Sequence, residues 1–173
     1  DARTGFQIAG LRARDLLARV APRDVAAMRF MDVRRATIGL TSCIVQRLSY
    51  TGDLGYEIYC DPLSQRALYH TLTTAGADLG LRPFGRRAMM SLRLDTFCGS
   101  WLREFSPDYT AAETGLDRFI SFKKNTAFIG RDIAEIERAT PPQRILAPFL
   151  VDAGDADVVA DEPIWLDGAV QGV

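Results

Sequence analysis

The alternation of residue types in residues 54–60 constrains the fold of this chain more than any other feature. Apolar side chains fall on every second position, at Leu54, Tyr56, Ile58 and Cys60. Gly55, Glu57 and Tyr59 occupy the positions between them. A period of two is typical of a β-strand with one face on a core, so these residues are predicted to form a half-buried strand.

A helix is predicted to follow this strand directly. Asp61 is a favourable N-cap, and Pro62 after it suits the first helical position. We expect the helix to reach about residue 77, with Leu68, Leu72 and Ala75 on its buried side.

The remaining elements of the first 110 residues follow the same logic. A short strand is predicted at residues 6–9 and ends at Gly10. A helix is predicted to follow over residues 13–20 and to end before Pro22. Residues 38–48 are predicted as one strand and residues 85–95 as a helix that leads into a loop over 96–110.

The pattern changes after Thr140-Pro141-Pro142, which is the strongest boundary signal in the chain. Before it we expect a strand at 118–122 and a short helix at 133–138. After it we expect only strands, at 145–151, 164–166 and 169–173, the last two joined by Asp167-Gly168. The prediction is an α+β domain over residues 1–140, with an antiparallel sheet and helices, and the start of a β-barrel or sandwich over 141–173. The chain opens without a leader and stops within a strand, so we expect it to be a fragment.

Composition excludes several classes of protein. The chain of 173 residues is 47% apolar and 25% charged with a net charge of −1, the profile of a globular domain without a nucleic-acid or membrane partner. No apolar run approaches the roughly 18 residues of a membrane span. The three cysteines, Cys43, Cys60 and Cys98, form no CxxC motif and are expected to be reduced thiols, and no metal site is predicted.

Known catalytic motifs are absent from the sequence. The single histidine, His70, lies off the apolar stripe of its predicted helix and is interpreted as a surface residue. The chain contains no GxSxG, GxxxxGK[ST] or GxGxxG motif. Neither a serine hydrolase nor a nucleotide-phosphate cradle is therefore indicated.

The segment from Ser49 to Tyr59 carries features that strand packing does not require. Glu57 is a carboxylate in an otherwise apolar and aromatic run, and Gly55 is expected to leave a notch beside it. A carboxylate with such a notch suits the N–H edge of an amino-heterocycle, on which Tyr50 could stack. The alternative is an edge strand with a glutamate that faces solvent, and the spacing alone leaves both open.

This segment resembles the S-Y-x-G-[ED]-x-G-[YFW]-E signature of the folate-binding family that includes the glycine cleavage T-protein, an aminomethyltransferase. The family also includes the C-terminal halves of dimethylglycine and sarcosine dehydrogenases. Further similar motifs follow in the family's order. They are G-x-R-A-x-x-S-L-R-L-D at residues 85–95, E-x-G-L at 113–116 and F-I-G-R at 128–131.

Within the family, the chain is most similar to the flavin-linked demethylating dehydrogenases. Met89 and Met90, expected to be core fillers, stand where T-proteins carry Arg-Asp, while residues 99–105 and 115–119 resemble the dehydrogenases. The resemblance implies that tetrahydrofolate captures a one-carbon unit from an N-methyl amine oxidised by FAD in an upstream domain. Glycine cleavage by an aminomethyltransferase and a non-catalytic scaffold module are the alternatives.

The resemblance also implies roles for three residues. Glu57 would accept hydrogen bonds from the pterin amino group and ring N–H, and Tyr50 would position the ring. Arg87 would pair with a carboxylate of the folate tail, the alternative being an ion pair on the helix surface. No position corresponds to the family's catalytic Asp. The expected compartment is the cytoplasm, or the mitochondrial matrix in a eukaryote.

Overall fold

The computed structural model describes residues 3–156 and 158–172. The chain forms two compact units, one ending at Arg103 and one beginning at Glu104. The predicted division into domains at residue 140 stays a prediction. Within the described residues, no helix has the length and apolar character that crossing a membrane requires.

The first unit is built on a four-stranded antiparallel sheet. Its strands are β1 (Thr4–Ala9), β2 (Val33–Ile38), β3 (Thr41–Gln46) and β4 (Gly55–Cys60). They lie in the order β1-β4-β3-β2. Strand β4 is therefore held between two neighbours, whereas β1 and β2 each pair with only one strand among the described residues.

The described residues of the first unit form four helices. They are α1 (Ala13–Val20), α2 (Arg23–Ala26), α3 (Gln65–Gly76) and α4 (Arg86–Asp95), with 3-10 turns at Pro62–Ser64 and Ala77–Leu79. The Asp61 side chain accepts a hydrogen bond of 2.9 Å from the Leu63 backbone N–H, which confirms the predicted cap. The prediction for helix α1 is also confirmed, since α1 has the predicted bounds.

The core lies between one face of the sheet and helices α1 and α3. Its members are completely or almost completely buried, among them Leu16, Leu17, Val45, Tyr56, Ile58, Leu68 and Leu72. The hydroxyl of Tyr56 donates to the backbone carbonyl of Ala26 at 3.2 Å, so this polar atom is satisfied inside the core. The side chains of β4 on this face are those predicted from its alternation.

The prediction of a single strand over residues 38–48 is wrong at its start. Ile38 ends β2, and the chain turns at Gly39, whose φ of 58° favours glycine, before β3 begins at Thr41. Strand β2 has no strong apolar signal because Arg34 and Arg35 occupy it and it lies at the sheet edge. The sequence alternation therefore missed this strand.

The second unit departs further from the sequence prediction. Residues 118–122 were predicted as a strand, but the structure has a 3-10 turn at Asp117–Phe119. No strand is assigned at residues 145–151, all of which are described. Helix α5 (Arg131–Ala139) and the hairpin of β5 (Ile164–Leu166) and β6 (Ala169–Gly172) are present. The barrel expected beyond residue 141 stays a prediction, and Val173 lies outside the described residues.

Leu68→Ala tests the packing of α3 against the sheet. Leu68 is completely buried, so the truncation is expected to lower the free energy of unfolding by about 2–5 kcal/mol. The matched control is Leu63→Ala, because Leu63 is 96% exposed and its loss should change stability by less than about 0.5 kcal/mol. Urea denaturation measures both, and equal effects would contradict the assigned core.

Candidate functional site

Three hydrogen-bonding side chains lie in one row across the sheet, on the face opposite the core. Gln7 of β1 pairs directly with Glu57 of β4, and Glu57 pairs with Gln46 of β3. All three residues are half-buried. Because side chains of directly opposed residues lie about 5 Å apart, the row presents two amides on either side of a carboxylate.

Tyr59 orients the carboxylate of Glu57. The Tyr59 hydroxyl donates to Oε2 of Glu57 at 2.6 Å, a short charge-assisted bond. The Tyr59 ring lies over Gly5 on β1, where a Cβ atom would be 2.9 Å from the ring. Oε1 of Glu57 accepts no hydrogen bond from the described residues, so this oxygen is free to bind a ligand donor.

Burial raises the pKa of the Tyr59 hydroxyl to about 12, and its hydrogen bond to Glu57 adds to this effect. Tyr59 therefore remains a neutral donor at physiological pH. It holds the carboxylate in place without adding a charge to the site.

Gln7 carries an unsatisfied donor. Its Nε2 atom is buried and has no hydrogen-bond partner among the described residues. An unpaired buried N–H costs about 1–3 kcal/mol, and a bound acceptor would recover this only when the Gln7 amide turns towards it. Because Gln7 lies beside Glu57, one ligand could meet both a donor and an acceptor there.

The prediction of a notch beside Glu57 is wrong. A Cβ atom on Gly55 would lie 2.7 Å from the Ser49 Cβ and 2.8 Å from the Ile8 carbonyl oxygen, so the protein itself fills this space. Gly52, with φ of 81°, is in the same situation, because its Cβ would collide with Thr96. The two glycines allow close packing of the chain and leave no opening for a ligand.

Tyr50 lies in the turn before β4, half-buried. Its hydroxyl donates to the Gly99 carbonyl at 3.5 Å, a long and weak hydrogen bond. The neighbouring hydroxyls of Ser49 and Thr51 are 3.0 Å apart and fix the turn. The structure thus directs Tyr50 towards the loop after α4, and its role beside a bound ring stays a prediction.

Arg87 lies on α4, where it is exposed and has no ion pair with the described residues. The alternative of an ion pair on the helix surface is therefore not seen. Met89 and Met90 are half-buried and lie outside the core, so their interpretation as core fillers is wrong. The motif residue Arg93 is buried and donates to the Cys98 carbonyl at 2.9 Å.

The cysteines of the sheet and the histidine of α3 are not arranged as a nucleophile and a base. Cys43 and Cys60 are opposed on β3 and β4, and both are free and buried. Burial, followed by the neighbouring Cys60, raises the pKa of Cys43 to about 11, so its thiolate is scarce near neutral pH. His70 is exposed, as predicted. The described residues contain no group of His, Cys, Asp and Glu that could hold a metal ion.

Sequence reasoning found Glu57 but missed Gln7, Gln46 and Tyr59. Gln7 interrupts the apolar strand at 6–9 much as Glu57 interrupts its own strand, and this was the available signal. Which strands pair, and in what register, is not visible in the sequence. The partners of Glu57 could therefore be assigned only from the structure.

Gly55→Ala tests the assignment of Gly55 to close packing. The added methyl group would meet Ser49 and the β1 backbone, and we expect a loss of about 1–3 kcal/mol in the free energy of unfolding. Gly85→Ala is the control, because open space surrounds Gly85 and its φ is −93°. If Gly55→Ala were as stable as Gly85→Ala, the notch would be open.

Tyr59→Phe tests the buried hydroxyl through pH. The unfolded chain releases a tyrosine proton near pH 10 and the folded chain only near pH 12. The folded state thus binds more protons in this window, and the contribution of Tyr59 to stability is lost as pH rises from about 10 to about 12. In denaturation curves at several alkaline pH values, the wild type should lose more stability than Tyr59→Phe. Parallel losses would argue against a buried Tyr59.

Comparison with known proteins identifies relatives over most of the chain. Residues 1–124 match the family described as the GCVT N-terminal domain. The human protein named dimethylglycine dehydrogenase, mitochondrial, is 30% identical over 167 residues, 95% of this chain and 19% of the human protein. The aminomethyltransferase of Clostridium botulinum (strain Loch Maree / Type A3) is 30% identical over 156 residues, 89% of this chain and 42% of that enzyme.

The chain thus spans only 19% and 42% of the lengths of these two curated relatives. The family match covers well over half of the chain and includes the whole four-stranded sheet with Gln7, Gln46 and Glu57. It agrees with the family indicated by the ordered sequence motifs. The chain belongs to the family of the GCVT N-terminal domain.

Proposed function

We propose that this domain binds tetrahydrofolate on the outer face of its sheet and supports one-carbon transfer to it. The setting we propose is the folate domain of a flavin-dependent dehydrogenase that demethylates an N-methyl amine of the dimethylglycine or sarcosine type. The similarity to dimethylglycine dehydrogenase over 95% of the chain supports this setting. The FAD would belong to a part of the parent protein outside these residues.

The observation that carries the proposal is the hydrogen bonding of the Glu57 carboxylate. Tyr59 holds one of its carboxylate oxygens, while the other accepts no hydrogen bond from the described residues. The amino-pyrimidinone edge of a pterin offers an amino group and a ring N–H to such a carboxylate. A hydrogen bond to a charged group contributes about 1.5–3 kcal/mol, so this contact would select the ring edge and fix its orientation.

The neighbouring residues fit the same ligand. A pterin also carries a carbonyl oxygen next to its ring N–H, and the unsatisfied Nε2 donor of Gln7 lies on the adjacent strand. Gln46 lies on the other side of Glu57. The row therefore brings two amides, each with a donor and an acceptor, to either side of the carboxylate acceptor.

In this proposal the chain's own residues bind and orient, and they do not react. When bound, tetrahydrofolate supplies the amine that takes up the one-carbon unit. Glu57, held by Tyr59, fixes the ring edge, and Gln7 fixes its carbonyl. The rate would come from holding the two reactants together. The partners are then a folate and a small N-methyl amine, and neither nucleic acid nor membrane is proposed.

Glycine cleavage is the second candidate function. It is favoured by the 30% identity to the Clostridium botulinum aminomethyltransferase over 89% of the chain. Met89 and Met90, in place of the Arg-Asp pair expected from the resemblance, favour the demethylating branch or a non-catalytic module. For the compartment we propose the cytoplasm, or the mitochondrial matrix, since a relative is named mitochondrial.

Glu57→Ala tests the proposed pterin contact. The loss of one charge-assisted contact should weaken tetrahydrofolate binding by about one to two powers of ten, at 1.4 kcal/mol for each. Calorimetric titration of the wild type and the variant measures this change. Asp155→Asn is the control, because it also removes one negative charge but from an exposed residue of the second unit. Equal affinities of the wild type and Glu57→Ala would refute the role of Glu57.

A further inference from the structure

Strand β1 lies at one edge of the four-stranded sheet, and its outer side is unpaired. Among the described residues β1 pairs only with β4, over its full length and without a bulge. Every second residue of an antiparallel edge strand turns its backbone N–H and C=O away from its neighbour. None of these outward groups of β1 forms a hydrogen bond within the described part of the chain. The strand therefore offers a row of backbone groups about 20 Å long to a further strand.

The two edges of the sheet differ in their protection against such pairing. Proteins commonly protect an exposed edge with charged side chains, proline or a bulge. The edge strand β2 carries Arg34 and Arg35. Strand β1 has the sequence T-G-F-Q-I-A, without a charge or a proline, and its register with β4 is unbroken. Of the two edges, β1 is therefore the one that favours the addition of a strand.

Two adjoining hollows of about 850 and 310 Å³ lie along β1, and together we call them the β1 groove. Phe6 and Tyr69 line both hollows, and all of the lining residues belong to the first unit. The walls of the larger hollow are mainly apolar, with Ile8, Leu72 and Phe84 among them. Apolar hollows beside an unpaired strand edge can receive the alternate side chains of an added strand.

The charged side chains that line the β1 groove are all arginines, namely Arg12, Arg66, Arg82 and Arg86. No carboxylate of the described residues lines it. Arg66, Arg82 and Arg86 are exposed and form no ion pair with the described part of the chain. Arg12 is 3.7 Å from a carboxylate oxygen of Asp15, a loose contact. A segment that lies in the groove therefore meets uncompensated positive charge along its length.

We propose that β1 binds an extended, acidic segment of another protein, which adds a fifth strand to the sheet. The backbone of this segment pairs with β1, its alternate apolar side chains enter the β1 groove, and its carboxylates face the arginines. A second copy of this chain is the other candidate for the added strand. It would bring the same arginines against one another, and like charges placed together weaken association. Binding of the segment does not depend on the proposed folate site.

The capped peptide E-V-T-V-T-V-E is the probe for strand addition, and fluorescence anisotropy of its labelled form measures binding to the whole chain at low salt. Two N-methylated isomers test the backbone pairing. One is methylated at the three valines and the other at the two threonines. Because a strand turns only one of these two sets of N–H groups towards its neighbour, one isomer should lose binding and the other should keep it. Equal behaviour of the two isomers would refute strand addition.

Arg82→Gln/Arg86→Gln tests the preference for an acidic segment. The loss of two exposed ion pairs should weaken binding of the peptide roughly three- to tenfold. The control, Arg14→Gln/Arg23→Gln, also removes two exposed arginines, but neither residue lines the β1 groove, and it should bind the peptide as the wild type does. Equal weakening in the two double variants would show a general attraction to positive charge and would contradict the proposal.

Two further outcomes would overturn the proposal. One is the absence of peptide binding by the wild type. The other is a dimer in sedimentation equilibrium that the peptide does not dissociate, with the β1 amides protected from hydrogen exchange, because a second copy would then occupy the edge. Glu57→Ala should bind the peptide as the wild type does, although we expect it to bind tetrahydrofolate more weakly. Failure of the docking surface is therefore distinguishable from failure of the folate site.

Discussion

The two faces of β4 impose opposite environments on neighbouring residues, and the candidate site depends on this division. Tyr56, Ile58 and Cys60 are completely buried against the helices, so the residues between them must point to the other face. A shift of the strand by one residue would place the charge of Glu57 in the core and three apolar side chains in solvent. The hydrophobic core therefore fixes the position of Glu57, and pairing with β1 and β3 then brings Gln7 and Gln46 beside it.

Local signals in the sequence were sufficient to predict β4 and the helix that follows it. The alternation in β4, the Asp61 cap and the apolar stripe of α3 each act over a few residues and can be read without a structure. The row at Glu57 depends instead on pairing between segments that are some 50 residues apart in the chain, as for Gln7 and Glu57. The role of a glycine is equally hard to predict from the sequence. Gly55 leaves space that Ser49 and the β1 backbone fill, but the sequence alone cannot distinguish such packing from space left for a ligand.

In the second unit, two short apolar runs led to strand predictions that the structure does not bear out. Residues 118–122 and 145–151 have strand-like composition, yet in the described structure neither forms a ladder with another strand. Polar contacts organise this region. Glu113 accepts hydrogen bonds from the Arg144 guanidinium and from the Thr110 backbone N–H, at 2.6 and 2.9 Å, and these contacts lower its pKa. The E-x-G-L motif at residues 113–116 thus has a structural use here, and a strand prediction based on β propensity does not account for such contacts.

The chemistry available at the sheet is that of binding. Tyr59 is a neutral donor because burial raises its pKa to about 12, and burial likewise raises the pKa of Cys43 to about 11. Neither group is ionised to a useful extent near neutral pH, and His70 lies exposed on α3. What remains at the sheet is a set of hydrogen-bonding groups, with an oriented carboxylate between two amides. Such a surface favours a reaction in which the bound molecule supplies the reactive atoms and the protein supplies their position.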